Sequence, residues 1–260
     1  MEYYHEHHFT LYQDNAFAKL KELEEKSIHL IFAEPPFILN ADGDVCTPEE
    51  ALAMKSGALQ IQSLDDRHRF NRIFIRLCKR VLSDDGTIWV SGTLNNLFSL
   101  GLALQQEGFR ILNTITWQKT NPPPNLSCRF FVHSTEMLLW ARKDIRTAKH
   151  TFHYDYMKEH SDGNEDKDVW TSPITPKLEK KQGKHPTQKP LWLMEKILLC
   201  STNEEDTVLD PFCGSGSMAL EAYKHHRNFI GIESEERFLA LTKRRLEEFQ
   251  LNDYEQLSWL

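Results

Sequence analysis

Apolar and polar positions along the chain follow two rhythms. Residues 28–33 (IHLIFA) form an unbroken apolar run that stops at Glu34-Pro35-Pro36-Phe37, the pattern of a buried strand feeding a turn. Over 68–82, Phe70, Ile73, Phe74, Leu77 and Val81 recur at helical spacing, and Asp84-Asp85-Gly86 closes that segment. TIWVS (87–91), a helix over 95–106, FRILNTITWQ (109–118) and EMLLWAR (136–142) follow. Past a polar middle, Leu191, Met194, Ile197 and Leu198 share one helix face, with Pro190 where a first turn tolerates it. The C-terminal part reads strand (TVLD, 207–210), Gly-rich turn, helix, strand (NFIGIE, 228–233) and a helix over 235–249. Strands alternating with helices predict an α/β fold with a mostly parallel sheet covered on both faces. Ligands in such sheets sit at the carboxyl ends of strands, near a topological switch point. Two strand ends here carry unusual chemistry, 34–37 and 210–216.

Composition narrows the picture from outside. Over 260 residues, 40% hydrophobic and 27% charged, it excludes wholesale disorder and fits one large domain or a domain with an insert. No apolar run approaches the ~18 residues of a membrane span, and MEYYHEHHFT lacks the basic start and apolar core of a signal peptide. A cytoplasmic protein is expected. Five cysteines without a C-x-x-C pair predict reduced thiols and no zinc site, and His5, His7 and His8 read as a solvated terminus; no metal is expected. The net charge of −7 opposes a nucleic-acid partner on average, but it is unevenly spread. Residues 117–149 hold six Lys and Arg against two acids, and 177–189 five Lys against one, with 151–170 acidic between them. Such stretches suit a phosphate-binding surface or solvated loops equally.

The Gly-rich turn, Asp210-Pro-Phe212-Cys-Gly214-Ser215-Gly216-Ser217-Met-Ala219, follows a strand and opens a helix. Its glycines permit a tight turn and close backbone approach, and free amides at the helix start face a ligand. Glu233 ends the next strand, seventeen positions after Gly216, where a carboxylate can accept from ribose hydroxyls. The pattern does not identify the nucleoside. At the other strand end, two prolines fix both φ angles and remove two N–H donors. A planar amine stacked on Phe37 could donate its two hydrogens to the Glu34 side chain and the Pro35 carbonyl, which aims the nitrogen lone pair at an electrophile.

With these pieces in place, the chain resembles the DNA amino-methyltransferases that use S-adenosylmethionine, marked by a [D/N/S]-P-P-[Y/F/W] turn and an F-x-G-x-G loop. The Pro-Pro turn comes first and Phe212-Cys-Gly214-Ser-Gly216 late, the order of the circularly permuted β group. Lys184-His-Pro-Thr-Gln-Lys189-Pro190 is similar to that group's cofactor-tail motif, and FTLYQDNAFAKLKEL to its opening segment, whose acid, here Asp14, contacts the cofactor adenine. ITWQKTNPPPNLSCRFFVHSTEMLLWARK (115–143) resembles the second adenine methyltransferase of Dpn-type, GATC-directed restriction systems, a likeness covering nearly the whole chain.

The resemblance implies a Rossmann-like, doubly wound class I methyltransferase fold: 1–143 as the catalytic part, 144–183 as a target-recognition insert, and 184–260 as the cofactor-binding part. It implies methyl transfer from S-adenosylmethionine to adenine N6 in DNA, at GATC, with the base flipped from the stack. Glu34, Pro35, Pro36 and Phe37 would be catalytic, and Asp14, Lys189, Asp210, Phe212, Gly214, Ser215, Gly216, Ser217 and Glu233 would hold the cofactor. Phe130 and Phe131 would line the target base, although one of them could belong to the core. Lys119, Arg129, Arg146 and Lys181 would meet DNA, beside the insert's aromatics Phe152, Tyr154, Tyr156 and Trp170, with the acidic 162–168 loop facing away. A companion restriction endonuclease and a homodimer accompany the expectation.

Departures are specific. Glu34 replaces the usual Asp, Phe37 the usual Tyr and Ser217-Met218 the usual Thr-Thr, and 41–66 lacks the Trp-Asp expected before the helix. An N4-cytosine methyltransferase, which favours Ser before Pro-Pro, and a catalytically weakened DNA-binding homologue are the alternatives. A nucleotide-linked dehydrogenase gives no reason for the Pro-Pro turn.

Overall fold

The structure, a computed structural model, describes residues 1–35, 64–126, 128–146 and 149–257, excluding the side chains of Asn95 and 252–257. The chain opens with β1 (Glu2–Glu6), β2 (Phe9–Gln13), α1 (Ala16–Glu22) and β3 (Ile28–Ala33). Next come α2 (Leu64–Val81), β4 (Leu82–Gly92), α3 (Leu94–Gln106), β5 (Phe109–Lys119) and β6 (Thr135–Lys143). Short α4 (Tyr154–Glu159), β7 (Val169–Ser172) and a 3₁₀ turn (Lys177–Lys180) lead to α5 (Leu191–Ser201). β8 (Thr207–Asp210), α6 (Ser217–Lys224), β9 (Asn228–Glu233) and α7 (Glu236–Leu257) complete it.

Among the described residues, nine strands form one sheet in the order β1-β2-β9-β8-β3-β4-β6-β5-β7. β1 and β6 pair antiparallel to their neighbours, and the other strands share one direction. Period-two alternation loads both faces. Leu30, Phe32, Trp89, Trp140 and Val208 bury against α4–α7 through Met157, Leu193, Ile197, Met218 and Leu239. Ile31, Ala33, Ile88, Val90 and Leu209 bury against α1–α3 through Leu20, Phe74, Cys78, Leu100 and Leu104. The expected doubly wound architecture is therefore present.

The switch point follows from the crossovers. β8 connects through α6 to β9 on one side, and β3 precedes β4 on the other, so the connections diverge between adjacent parallel β8 and β3. Their carboxyl ends are Asp210 and Ala33, beside Glu34.

Four features differ from the sequence reading. Asp84-Asp85-Gly86 is not a turn outside the sheet: Ile28 pairs with Leu82 and Leu30 with Thr87, so the segment bulges within β4. A Cβ on Gly86 would lie 2.8 Å from the His29 carbonyl oxygen, so a bare backbone lets the bulge lie against β3. Pro190 caps α5 from just outside the helix, and α7 runs on to Leu257. Residues 144–183 do not stand apart as an insert. β7 joins the sheet beside β5, and Met157 and Trp170 are part of the main core.

Candidate active site

Asp210-Pro-Phe-Cys-Gly-Ser-Gly folds as a loop because two glycines accept left-handed backbone, Gly214 at φ 53° and Gly216 at φ 72°. The Cys213 amide donates to the Ile232 carbonyl (2.9 Å) and the Gly216 amide to the Cys213 carbonyl (2.8 Å). Helix α7 props the loop from behind. Thr242 Oγ1 donates to the Gly214 carbonyl at 3.0 Å, and the Arg245 guanidinium donates to the Ser215 carbonyl. Glu233 closes the circle by accepting from the Gly214 amide (3.0 Å) and the Glu235 amide (2.9 Å). A Cβ on Gly216 would fall 2.4 Å from Thr242 Cγ2. Gly216→Ala is thus expected to cost about 2–3 kcal/mol through clash and backbone strain, measured as a lower urea midpoint. An unchanged midpoint would show that the loop tolerates a side chain.

Facing this loop, the 185–189 segment and the end of β3 complete a cavity of about 240 Å³, lined among others by Phe32, Glu34, His185, Lys189, Asp210 and Phe212. Ser217 Oγ donates to the Lys189 carbonyl (2.8 Å), tying the segment to the start of α6. Four acids line the cavity, Glu34, Asp210, Glu233 and Glu235, against Lys189 and Arg237. Burial, followed by the Lys189, Arg237 and Arg245 charges, lowers His185 to about 4, so its imidazole is neutral at physiological pH. Burial pushes Asp210 up to about 8, with the Glu233 and Glu34 carboxylates adding to the effect. Burial also raises the Cys213 thiol far above its ordinary value, leaving it unreactive.

Glu34 is held by Lys189, whose Nζ lies 2.5 Å from Glu34 Oε1 and 3.1 Å from Glu136 Oε2. Lys119 Nζ in turn lies 2.5 Å from Glu136 Oε1. Lys189, expected at the cofactor tail, therefore also reaches the acid of the Pro-Pro corner. Lys119, expected on DNA, is partly buried in an ion pair. Pro35 is buried at this corner; Pro36, Phe37 and the 41–63 part of the stretch lacking Trp-Asp lie outside the described residues.

The remaining expected residues separate into two groups. Asp14 follows β2 and its amide donates to the Glu233 carbonyl (3.1 Å), which puts it at the site's edge, but its carboxylate pairs with the Met1 amino group at 3.3 Å. Phe130 and Phe131 are both exposed on the 120–134 loop after β5, on the carboxyl side of the sheet, and neither is a core residue. Arg129 shares that loop, and Lys181 is exposed just past the 3₁₀ turn, ahead of the segment that walls the cavity. Arg146 is elsewhere. β6 runs antiparallel, so its far end meets the start of the parallel strands, where Lys143 pairs with Asp84 at 3.1 Å. The aromatics assigned to recognition do not form one surface: Tyr154 and Tyr156 are exposed on α4, and Trp170 pairs with Trp117 near the carboxyl end of β5. Trp170 is buried beside Trp89, Phe152 packs on Trp140, and His153, leading into α4, bonds to the Thr202 carbonyl at that far edge. In the acidic loop Asp166 is paired with Lys196 at 2.6 Å, while the residues of 162–168 are exposed as expected. Glu136, His185, Thr242 and Arg245 were not singled out from sequence. Only His185 carried a signal, as part of the Lys184–Pro190 motif.

A doubly wound sheet with a Gly-rich loop and an acid-Pro corner around one switch-point cavity defines a nucleoside-dependent enzyme of the Rossmann-like class. The comparisons make this specific: residues 28–244 match the N6/N4 methyltransferase family described as DNA methylase, and the chain belongs to that family. It is 49% identical over 246 residues to the type II methyltransferase M2.DpnII of Streptococcus pneumoniae, covering 94% of this chain and 92% of that one. Identity to M2.LlaDCHI of Lactococcus lactis subsp. cremoris is also 49%, over 245 residues, covering 94% and 91%. The crystal structure of an M1.HpyAVI–SAM complex is similar at 28% identity and a TM-score of 0.66, covering 92% of this chain and 100% of that one. No helix among the described residues is long and apolar enough to cross a membrane.

Proposed function

We propose that this DNA methyltransferase moves a methyl group from S-adenosylmethionine to the N6 amine of adenine within GATC. The observation that carries this reading is the position of Glu34, a partly buried carboxylate across one cavity from the Gly-rich loop. The residues fit the cofactor. Gly214 has no room for a Cβ beyond 3.0 Å from the His185 ring, so backbone lines the loop, and Glu233 stands where ribose hydroxyls would be met. Surplus acids around the cavity suit a cationic ligand. Bound there, S-adenosylmethionine supplies an electrophilic methyl carbon. Asp14, Asp210, Phe212, Ser215, Gly216 and Ser217 would complete its site, with the 185–189 segment toward its tail.

The amine nitrogen is the nucleophile, and no thiol is required. Glu34 accepts one N–H and the Pro35 carbonyl the other, so the lone pair is drawn out of the ring and directed into the cavity. Glu34 is also placed to take the proton that the nitrogen sheds. Phe37 would stack on the flipped base, and Phe130 or Phe131 would close over it, with Arg129 and Lys181 on the backbone. Arg146, at the other end of the sheet, is left out of this surface. DNA in the cytoplasm, a companion restriction endonuclease and a homodimer belong to the same proposal.

The experiment is transfer of labelled methyl to oligonucleotides with and without GATC, single- and double-stranded, followed by nucleoside separation. N6-methyladenine confined to GATC is the expected product. N4-methylcytosine would overturn the choice of base, and labelling independent of GATC the choice of site.

A further inference from the structure

Four charges alternate in a row beneath the Pro-Pro corner, Glu34, Lys189, Glu136 and Lys119, each within 3.1 Å of the next. They come from four elements. Glu34 follows β3, Lys189 precedes α5, Glu136 opens β6 and Lys119 ends β5. Glu136 does not line the cavity, and orienting the amine requires neither it nor Lys119. Charges this close and this shielded from water interact strongly, and removing one leaves its partner exposed to the full cost of burial.

Lys189 Nζ meets Glu34 Oε1 at 2.5 Å, and with Glu34 as its sole partner the ammonium would draw on both carboxylate oxygens, in competition with a neutral amine. We propose that Glu136 is a positioning residue that acts through Lys189: by sharing its ammonium, Glu136 leaves the Glu34 carboxylate free to turn onto the substrate amine. This rests on Glu34 being the amine acceptor. Lys119 supports the arrangement by balancing the second charge of the row.

The electrostatics agree with the geometry. Burial works against the Lys189 ammonium, but Glu136 and then Glu34 outweigh it and raise its pKa. Glu136, partly shielded from water, is held down at about 2 by Lys189 and Lys119 on either side. Burial raises Glu34; Lys189 opposes this and Glu136 reinforces it. The groups facing Glu34 are thus Lys189 and Thr187 from the segment before α5, Glu136 from β6, and Asp210 from the end of β8.

The test is the acid limb of the kcat–pH profile on duplex GATC, where Glu34 must lose its proton to act. In Glu136→Gln the charge that disfavours ionised Glu34 is gone, so the limb moves to lower pH. In Lys189→Gln the compensating charge is gone, and the limb moves to higher pH; each shift should be about one pH unit. Glu136→Gln should also lower the plateau kcat with KM for DNA held, because Lys189 now grips Glu34 alone, and Glu136→Asp should restore most of it. Lys119→Gln is the milder variant should either of the others fail to fold. It leaves Glu136 less neutralised and should move the limb upward. Limbs that stay put or move together, or a plateau unaffected by Glu136→Gln, overturn the proposal. A wild-type protein that makes no N6-methyladenine overturns the parent reading as well, so the two failures are distinguishable.

Discussion

Glu34→Gln is expected to lower kcat for adenine methylation by about 10²-fold or more, with affinity for S-adenosylmethionine nearly unchanged. Gln matches Glu in volume and keeps one oxygen toward Lys189, so the cavity wall survives. What disappears is the negative charge that polarises the amine and receives its proton. An interaction that matters only as the N–C bond forms should be read in kcat and kcat/KM together, with KM for DNA steady. Calorimetric titration with S-adenosylmethionine separates the two effects. If Glu34→Gln instead abolishes cofactor binding while single-turnover chemistry on bound substrate stays fast, Glu34 belongs to the cofactor site and the nucleophile has another acceptor.

The pieces legible in the sequence were those whose signal is local. IHLIFA followed by Glu-Pro-Pro announces β3 and its corner within ten residues, and the Gly-rich turn with Glu233 spans one strand–helix–strand unit. Strand direction is not a local property. EMLLWAR reads as a strand either way, and only pairing with β4 and β5 shows that it runs antiparallel, which carries Arg146 to the far edge and Glu136 beside Lys189. The same limit misplaced Trp170. A Trp amid charged residues suggests a base-stacking surface, yet β7 extends the sheet next to β5 and turns that ring onto Trp89. Charge counts erred for a related reason. Lys119 contributes to a basic stretch in sequence but is neutralised in space by Glu136, seventeen residues on. Four-residue charge rows assembled from four elements leave no pattern in any window.

Asp210→Asn should make the unliganded protein more stable at alkaline pH and remove much of its pH dependence. Asp210 is buried at the end of β8, where among the described residues only the Phe212 amide (3.1 Å) favours the ionised form, and its pKa is pushed up to about 8. In the unfolded chain an aspartate ionises near 3.9. Between these values the folded state holds a proton that the unfolded state has released, so stability falls as pH rises from about 4 and levels off only above about 8. The loss is on the order of a few kcal/mol, since each pKa unit is worth about 1.4 kcal/mol and relaxation around the charge recovers part. Asn has the same shape without a proton to lose. The two proteins should therefore melt together near pH 4, and the variant should melt roughly 5 °C higher, or more, at pH 8.5. Thermal unfolding across that range decides the matter: parallel curves would mean that Asp210 ionises in place without penalty. A sulfonium cation sharing the cavity would favour the ionised form of Asp210. Adding S-adenosylmethionine should therefore shrink the difference between the two proteins at pH 8.5, whereas adenosine, which lacks the sulfonium, should leave it as it was.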